Sequence, residues 1–158
     1  VAAYLPPLPP ERLGDPSFAR EHGLKYPYMT GAMANGIASC EVVEAISMGG
    51  MLGSFGAAGQ SLARIGEAVD RLRANLGGAP YCVNLIHSPG EPAHEMATAE
   101  LLLQKGVTHV EASAYLDLTP AIVRYRVSGF GAGGPANRVV AKVSRVEVAT
   151  KFLSPPPE

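Results

Sequence analysis

Apolar residues recur along this chain with two alternating periods. In SCEVVEAISMG, which opens at Ser39, residues Val42, Val43, Ala45, Ile46 and Met48 mark one face of a helix, and Ser39 is placed to cap its start. MLGSF, 51–55, then reads as a strand. Ser61 opens a second helix, SLARIGEAVDRLRANLG, with Leu62, Ile65, Val69 and Leu72 at helical spacing, and PYCVNLI, 80–86, has a buried-strand pattern. EPAHEMATAELLLQKG carries Pro92 where a first helical turn tolerates it, and VTHVEAS, 107–113, follows as a strand. NRVVAKVS, 137–144, is the last clear strand, before a helical start at Val146. Ahead of all these, Tyr26 to Ala32 is a short extended run interrupted by Pro27.

Helix, terminal glycine and apolar strand thus recur three times, as AISMGGMLGSF, LRANLGGAPYCVNL and LLLQKGVTHVEAS. A glycine at each helix end is expected in the left-handed conformation that closes a helix. Strands apolar nearly throughout, separated by helices, predict a parallel sheet covered on both faces, hence an α/β fold. Periodicity alone leaves an open doubly wound sheet and a closed (β/α)8 barrel both standing.

Composition narrows the function. The 158 residues suffice for one domain with a sizeable core; 47% are hydrophobic, 17% are charged, and the net charge is −1. Such a lean, balanced charge argues against nucleic acid or an anionic membrane as main partner. No apolar run approaches the roughly 18 residues of a membrane span, and no basic-then-apolar leader is visible, so a cytoplasmic location is expected. Cys40 and Cys82 lie inside apolar segments and are expected to be buried free thiols. The chain starts at Val1, runs through the stiff YLPPLPP and stops at SPPPE; 1–23 is expected to form a Pro-rich segment, and both ends are expected to be cuts in a longer protein.

The stretch GGMLGSFGAAG, 49–59, has glycines at 50, 53, 56 and 59. A Walker loop needs Lys followed by Ser or Thr after its last glycine, and Gly59-Gln60 supplies neither. The dinucleotide fingerprint needs offsets of zero, two and five, which these glycines do not have. Met51, Leu52 and Phe55 are interleaved and apolar, so a flexible linker fails too. What remains is a strand whose glycines let a neighbouring backbone or a planar ligand approach closely.

The runs KYPYMTGAMANGIAS, GGMLGSFGAAG, APYCVNLIHSPGEP and VEASAYLDLTPAIVRYR resemble the PfaD-type enoyl reductases of polyunsaturated fatty acid and trans-acyltransferase polyketide assembly lines. The resemblance covers about Leu13 to Pro155. It implies an FMN-dependent enzyme related to the nitronate monooxygenases and built on a (β/α)8 barrel, of which 24–158 would be the N-terminal half, with four or five βα units. A whole barrel takes roughly 250 residues. The family's phosphate-binding loops and its Gly-Gly-His stretch are expected in the second half. The implied reaction reduces enoyl thioesters on an acyl carrier protein, with NADPH as reductant. Expected partners are the C-terminal half-barrel polypeptide and the carrier protein, with a homodimer left open. A nitronate monooxygenase and a non-catalytic half-barrel scaffold are the alternatives.

In such barrels reacting groups lie at the C-terminal ends of strands and in the loops that follow. That rule selects Ala32, Met33, Ala34 and Asn35 after the first strand, and Asn84 at the end of the third, whose amide can donate and accept. The resemblance places flavin contacts at Ala32, Met33, Ala34 and Asn84, and makes the glycine stretch the second strand and its loop, beside the ring. On the fourth strand Glu111 and Ser113 flank Ala112; a buried carboxylate there is either an ion-pair partner or a pocket residue. Lys142 ends the fifth strand, where the relatives carry a lysine near the flavin; a Lys142–Glu111 ion pair is the competing reading. The cofactor candidates are therefore Ala32, Met33, Ala34, Asn84, Glu111, Ser113 and Lys142. His87, in the loop after the third strand, is the candidate toward substrate, with a loop hydrogen bond as the alternative. His22 and His109 read as surface or packing residues. His94-Glu95 begins like a zinc-protease motif, but Thr98 stands where the second histidine belongs, and no metal site is expected.

Overall fold

The computed structural model describes residues 3–131 and 134–155. Its helices are α1 (Pro16–His22), α2 (Cys40–Met48), α3 (Leu62–Leu76), α4 (Pro92–Gln104), α5 (Pro120–Val127) and α6 (Val146–Leu153). Its strands are β1 (Gly53–Phe55), β2 (Tyr81–Ile86), β3 (His109–Ser113), a small hairpin of β4 (Phe130–Gly131) and β5 (Gly134–Pro135), and β6 (Arg138–Ala141). The main sheet runs β1-β2-β3-β6 and is parallel at every pairing. The predicted strand over Tyr26–Ala32 shrinks to a single parallel bridge, Met29 to Leu52. Pro27 has no N–H to give a ladder, and Tyr28 N–H turns back onto the Tyr26 carbonyl, so pairing starts late and stops early.

Each parallel position is followed by a helix: the Met29 bridge by α2, β1 by α3, β2 by α4, β3 by α5 and β6 by α6. That is the repeat of a (β/α)8 barrel, opened as a partial wall. Local chemistry sets the helix ends. Ser39 and Ser61 accept from the backbone N–H groups of Val42 and Arg64, as their positions predicted. Gly77 closes α3 with φ 58°, and Gly106 follows α4 with φ 65°. The third expected cap differs. Gly49 stays right-handed with φ −72°, and Gly50 makes the left-handed turn with φ 84°.

Periodicity missed α1, which buries no residue, and α5, whose apolar residues Ala121, Ile122, Val123 and Val127 are not confined to one stripe. Both begin with a capping residue and then proline, Asp15-Pro16 and Thr119-Pro120, and both caps accept a backbone N–H.

Pleating sends alternate strand residues to opposite faces of the sheet. One face packs on the helices. Phe55, Val83, Leu85, Val110 and Ala112 join Val43, Ile65, Val69, Leu72, Ala99, Leu102, Ile122 and Tyr125 in one apolar core. The opposite face carries Ser54, Cys82, Asn84, His109, Glu111 and Ser113, all buried. Ala32 reaches over that face to Glu111 at the C-terminal ends of the strands, and His22 of α1 covers it at the other end, its ring 5.1 Å from that of His109. The segment 1–23 thus contributes a packed helix. Cys40 and Cys82 are free and buried; burial raises the Cys82 thiol far above its ordinary value.

The glycine stretch finds its explanation here. A Cβ on Gly53 would come 2.8 Å from the Val43 carbonyl oxygen of α2, and one on Gly56 would land on the Met33 carbonyl. Loop 33–38 is laced to this stretch: Gly56 N–H donates to Ala38 O, Gly36 N–H to Gly56 O, and Asn35 N–H to Ala58 O. The room beside both glycines is therefore filled by protein backbone, not by a planar ligand. No helix among the described residues is long and apolar enough to cross a membrane.

Candidate active site

The buried polar face becomes a connected cluster at the C-terminal ends of the strands. Asn84 and Glu111 are register partners on β2 and β3, as are Ile86 and Ser113. Asn84 Nδ2 donates to the Ser113 hydroxyl at 2.8 Å and to the Glu111 carbonyl at 3.0 Å. Both amide hydrogens are thereby used, and Asn84 Oδ1 accepts no hydrogen bond among the described residues. Lys142, one residue past β6, donates from Nζ to Glu111 Oε1 at 2.7 Å. The backbone N–H of Ala32 donates to the other oxygen, Oε2, at 2.8 Å.

Glu111 answers the question its position raised. It is both an ion-pair partner and a residue of the polar face. Burial raises its carboxyl pKa, but hydrogen bonds from Lys142, the Ser54 hydroxyl and the Ala32 N–H, with the Lys142 charge, outweigh that and hold it below the ordinary value. The pair is lopsided: the Glu111 side chain is 2% exposed and that of Lys142 57%. An ammonium has three donors and this one uses a single donor on Glu111, so the cation remains able to meet a ligand from the open side.

The other candidates fall nearby with different roles. Met33 and Ala34 belong to the loop laced onto 56–58, and the Met33 side chain is about half exposed. Ser54 lies deeper on the polar face, fully buried with its hydroxyl toward the Glu111 carboxylate, and Thr30 Oγ1 is buried without a hydrogen-bond partner. Ala114, immediately after Ser113, adopts φ 62°, a left-handed conformation that costs a β-carbon residue on the order of 1 kcal/mol. Its strain marks the turn from strand end into loop.

His87 makes the loop hydrogen bond that was the alternative to a substrate role. Its Nδ1 is 2.9 Å from Glu95 Oε2, and its ring stacks on Tyr115 at 5.3 Å. Sequence reasoning missed Glu95 as a functional residue. This α4 residue is buried and accepts from four groups: His87 and Ser88 N–H at Oε2, and the Tyr115 and Thr119 hydroxyls at Oε1. A signal was available, because Glu95 shares the stripe of Thr98, Ala99 and Leu102 that α4 buries. A carboxylate on a helix's apolar stripe needs partners. Burial raises the Glu95 pKa, and the bonds from Thr119, Ser88, His87 and Tyr115 overcome that and hold it low.

His22 and His109 pack together at the N-terminal ends of the strands, away from this cluster. Burial pushes His109 down to about 4. Among the described residues, no group of three His, Cys, Asp or Glu is arranged to hold a metal ion.

Fold and cluster together define part of a (β/α)8 barrel with polar groups gathered at the C-terminal ends of its strands. Nearly the whole chain is homologous to one segment of much larger biosynthetic proteins. It is 48% identical over 151 residues to a polyunsaturated fatty acid synthase polypeptide of Thraustochytrium sp., spanning 92% of this chain and 10% of that protein. It is 47% identical to the polyketide biosynthesis protein ThaF of Burkholderia thailandensis, over 94% of this chain and 13% of the relative. Among solved structures, it matches the enoyl reductase domain of MlnA, from the macrolactin biosynthesis cluster of Bacillus amyloliquefaciens. There the TM-score is 0.86 at 39% identity, over 92% of this chain and 35% of that one. FabK from Thermotoga maritima shares the fold, with a TM-score of 0.70 at 20% identity. No protein-family model matches the chain. The chain therefore spans about a tenth of the curated relatives' length and about a third of the MlnA domain's chain.

Proposed function

We propose that residues 24–158 form the N-terminal half of an FMN-dependent enoyl reductase barrel. It would act on enoyl thioesters carried by an acyl carrier protein in polyunsaturated fatty acid or polyketide assembly. The observation that carries this reading is the Asn84–Ser113–Glu111–Lys142–Ala32 cluster at the strand ends, in a chain homologous along 92% of its length to an enoyl reductase domain.

The cluster's donors and acceptors fit the polar edge of a flavin ring. Asn84 has an unused carbonyl oxygen, and Lys142 has unused N–H donors on its open side. Alternating donors and acceptors suit a ring that presents both. When bound, FMN would supply the hydride chemistry, with NADPH as its reductant. Lys142 would favour negative charge at the ring edge, with Glu111 holding its ammonium in place. Asn84 would orient the ring, itself held by Ser113. Ala32, Met33 and Ala34 would wall the site with backbone and short side chains. His87 would face the acyl thioester.

The open edge of β6 supports the need for a C-terminal half. A groove of about 750 Å³ runs there between α5 and α6, lined by Ile122, Val123, Phe130, Val139 and Phe152 among others. A parallel sheet with an unpaired apolar edge is a liability in water, and three further βα units would cover it.

The test is direct. The chain joined to its C-terminal half should purify yellow, with one FMN per barrel, and should reduce a carrier-bound enoyl thioester with NADPH. A colourless preparation that binds no added FMN would favour the scaffold alternative. A yellow protein that consumes nitronates and oxygen while leaving enoyl thioesters untouched would favour the monooxygenase.

A further inference from the structure

Four donors converge on one buried carboxylate, and they come from two loops that both leave the C-terminal end of the sheet. His87 and Ser88 follow β2, whereas Tyr115 and Thr119 follow β3; Glu95 of α4 receives all four. A carboxylate held ionised by its donors can only accept, so the imidazole nitrogen facing it must carry a hydrogen. That nitrogen is Nδ1. Nε2 has no partner among the described residues, and the His87 side chain is 25% exposed. The ring stacks on Tyr115, itself bound to the same Glu95, which holds the plane of the imidazole.

We propose that Glu95 is a positioning residue that fixes the tautomer and orientation of His87. It would hold the proton on Nδ1 and present Nε2 at the mouth of the site, where a carrier-bound acyl thioester would enter. This rests on the reading of the strand-end face as an enoyl reductase site. The chemistry is that of a carboxylate behind a working imidazole: the carboxylate touches neither substrate nor cofactor and acts only through the ring.

Substitution chemistry separates this role from simple loop pinning. Glu95→Gln can place its amide NH2 toward the Tyr115 and Thr119 hydroxyls, which are able to accept. Its carbonyl oxygen then still receives His87 Nδ1–H and Ser88 N–H. Glu95→Ala removes every acceptor.

The experiment has two arms, both on the complete barrel. In the first, 15N-labelled histidine is observed at a pH where the ring is neutral, with the His87 signals assigned by their loss in His87→Gln. Wild type and Glu95→Gln should carry the proton on Nδ1. Glu95→Ala should shift toward the Nε2–H form that free histidine prefers in water. A wild-type ring protonated on Nε2 would overturn the proposal, whether or not Glu95→Ala folds. In the second arm, Glu95→Ala should lower kcat about ten- to hundredfold per bound flavin with little change in KM. Glu95→Gln should restore most of that loss, and Glu95→Ala with His87→Gln should be no slower than His87→Gln alone. Independent, multiplying losses, or no rescue by Gln, would count against it. If wild type reduces no enoyl thioester, the functional reading fails, and the first arm still decides the Glu95–His87 relation.

Discussion

The two faces of one sheet obey different rules. The helix-facing side is filled by Val83, Leu85, Val110 and Ala112 against Ile65, Val69 and Leu102, where each side chain contributes by leaving water. The opposite side buries Asn84, Glu111 and Ser113 almost as deeply, yet each of these is bonded to a named partner. Burial alone thus does not distinguish them. On the first face a neighbour of similar shape suffices. On the second, stability depends on donors and acceptors matching one by one, and the oxygen left unmatched at the strand ends, Asn84 Oδ1, points to chemistry.

The sharpest break in this contrast is a glycine that serves both faces. Gly56→Val would drive a side chain into the Met33 backbone and tear loop 33–38 from the sheet. We expect a loss of about 4 kcal/mol or more, read as failure to fold or a collapsed denaturation midpoint in the complete barrel. A Gly56→Val protein with wild-type stability and flavin content would show the loops to be independent.

Next in size is Leu102→Ala on the helix side, fully buried in the apolar core. It should cost about 3 kcal/mol in urea unfolding while the folded fraction keeps its full flavin content. Loss of flavin without loss of stability would mean that the two faces are not separable.

Acid should act through the polar face at its other end. Burial lowers His109 from 6.5 to about 4, so the folded state binds its proton less readily than the unfolded chain. Its contribution is complete above pH 6.5 and is lost as pH falls from 6.5 toward 4, by at most about 3 kcal/mol. His22, lowered also by burial, acts in the same direction. His109→Leu should flatten that part of the stability–pH curve. Glu111 and Glu95, both held low, would add their own losses only further into acid, below the ordinary 4.5. An unchanged slope between pH 6.5 and 4.5 in His109→Leu would remove His109 from this account.

The smallest effects on stability should have the clearest effects on ligand. Lys142→Met removes the cation from a carboxylate that is itself 2% exposed and should cost about 2 kcal/mol, and Asn84→Ala, which frees Ser113, about 1 kcal/mol. Both should weaken FMN retention on the order of tenfold, measured by equilibrium dialysis. Wild-type retention in both variants would take them out of the site.

How much of this was legible follows the same division. Helix-side packing is written in periodicity, so α2, α3, α4 and α6, the strands β1, β2, β3 and β6, and two serine caps could be read directly. The candidates Asn84, Glu111, Ser113 and Lys142 were legible because polar residues interrupt apolar strands at their C-terminal ends. Pairing across distance was legible once, in the Lys142–Glu111 ion pair that stood among the readings of those two residues. The rest could not be read: Glu111 meets Ala32 from 79 residues away, and Glu95 gathers donors from two loops. The glycines show the limit most simply. Their spacing among apolar residues was enough to require a close approach at 53 and 56; that Val43 and Met33 backbone fill the space was settled by the packing of α2 and loop 33–38. Local periodicity records which residues leave water, whereas the identity of each buried group's partner depends on how distant strands and loops are brought into register.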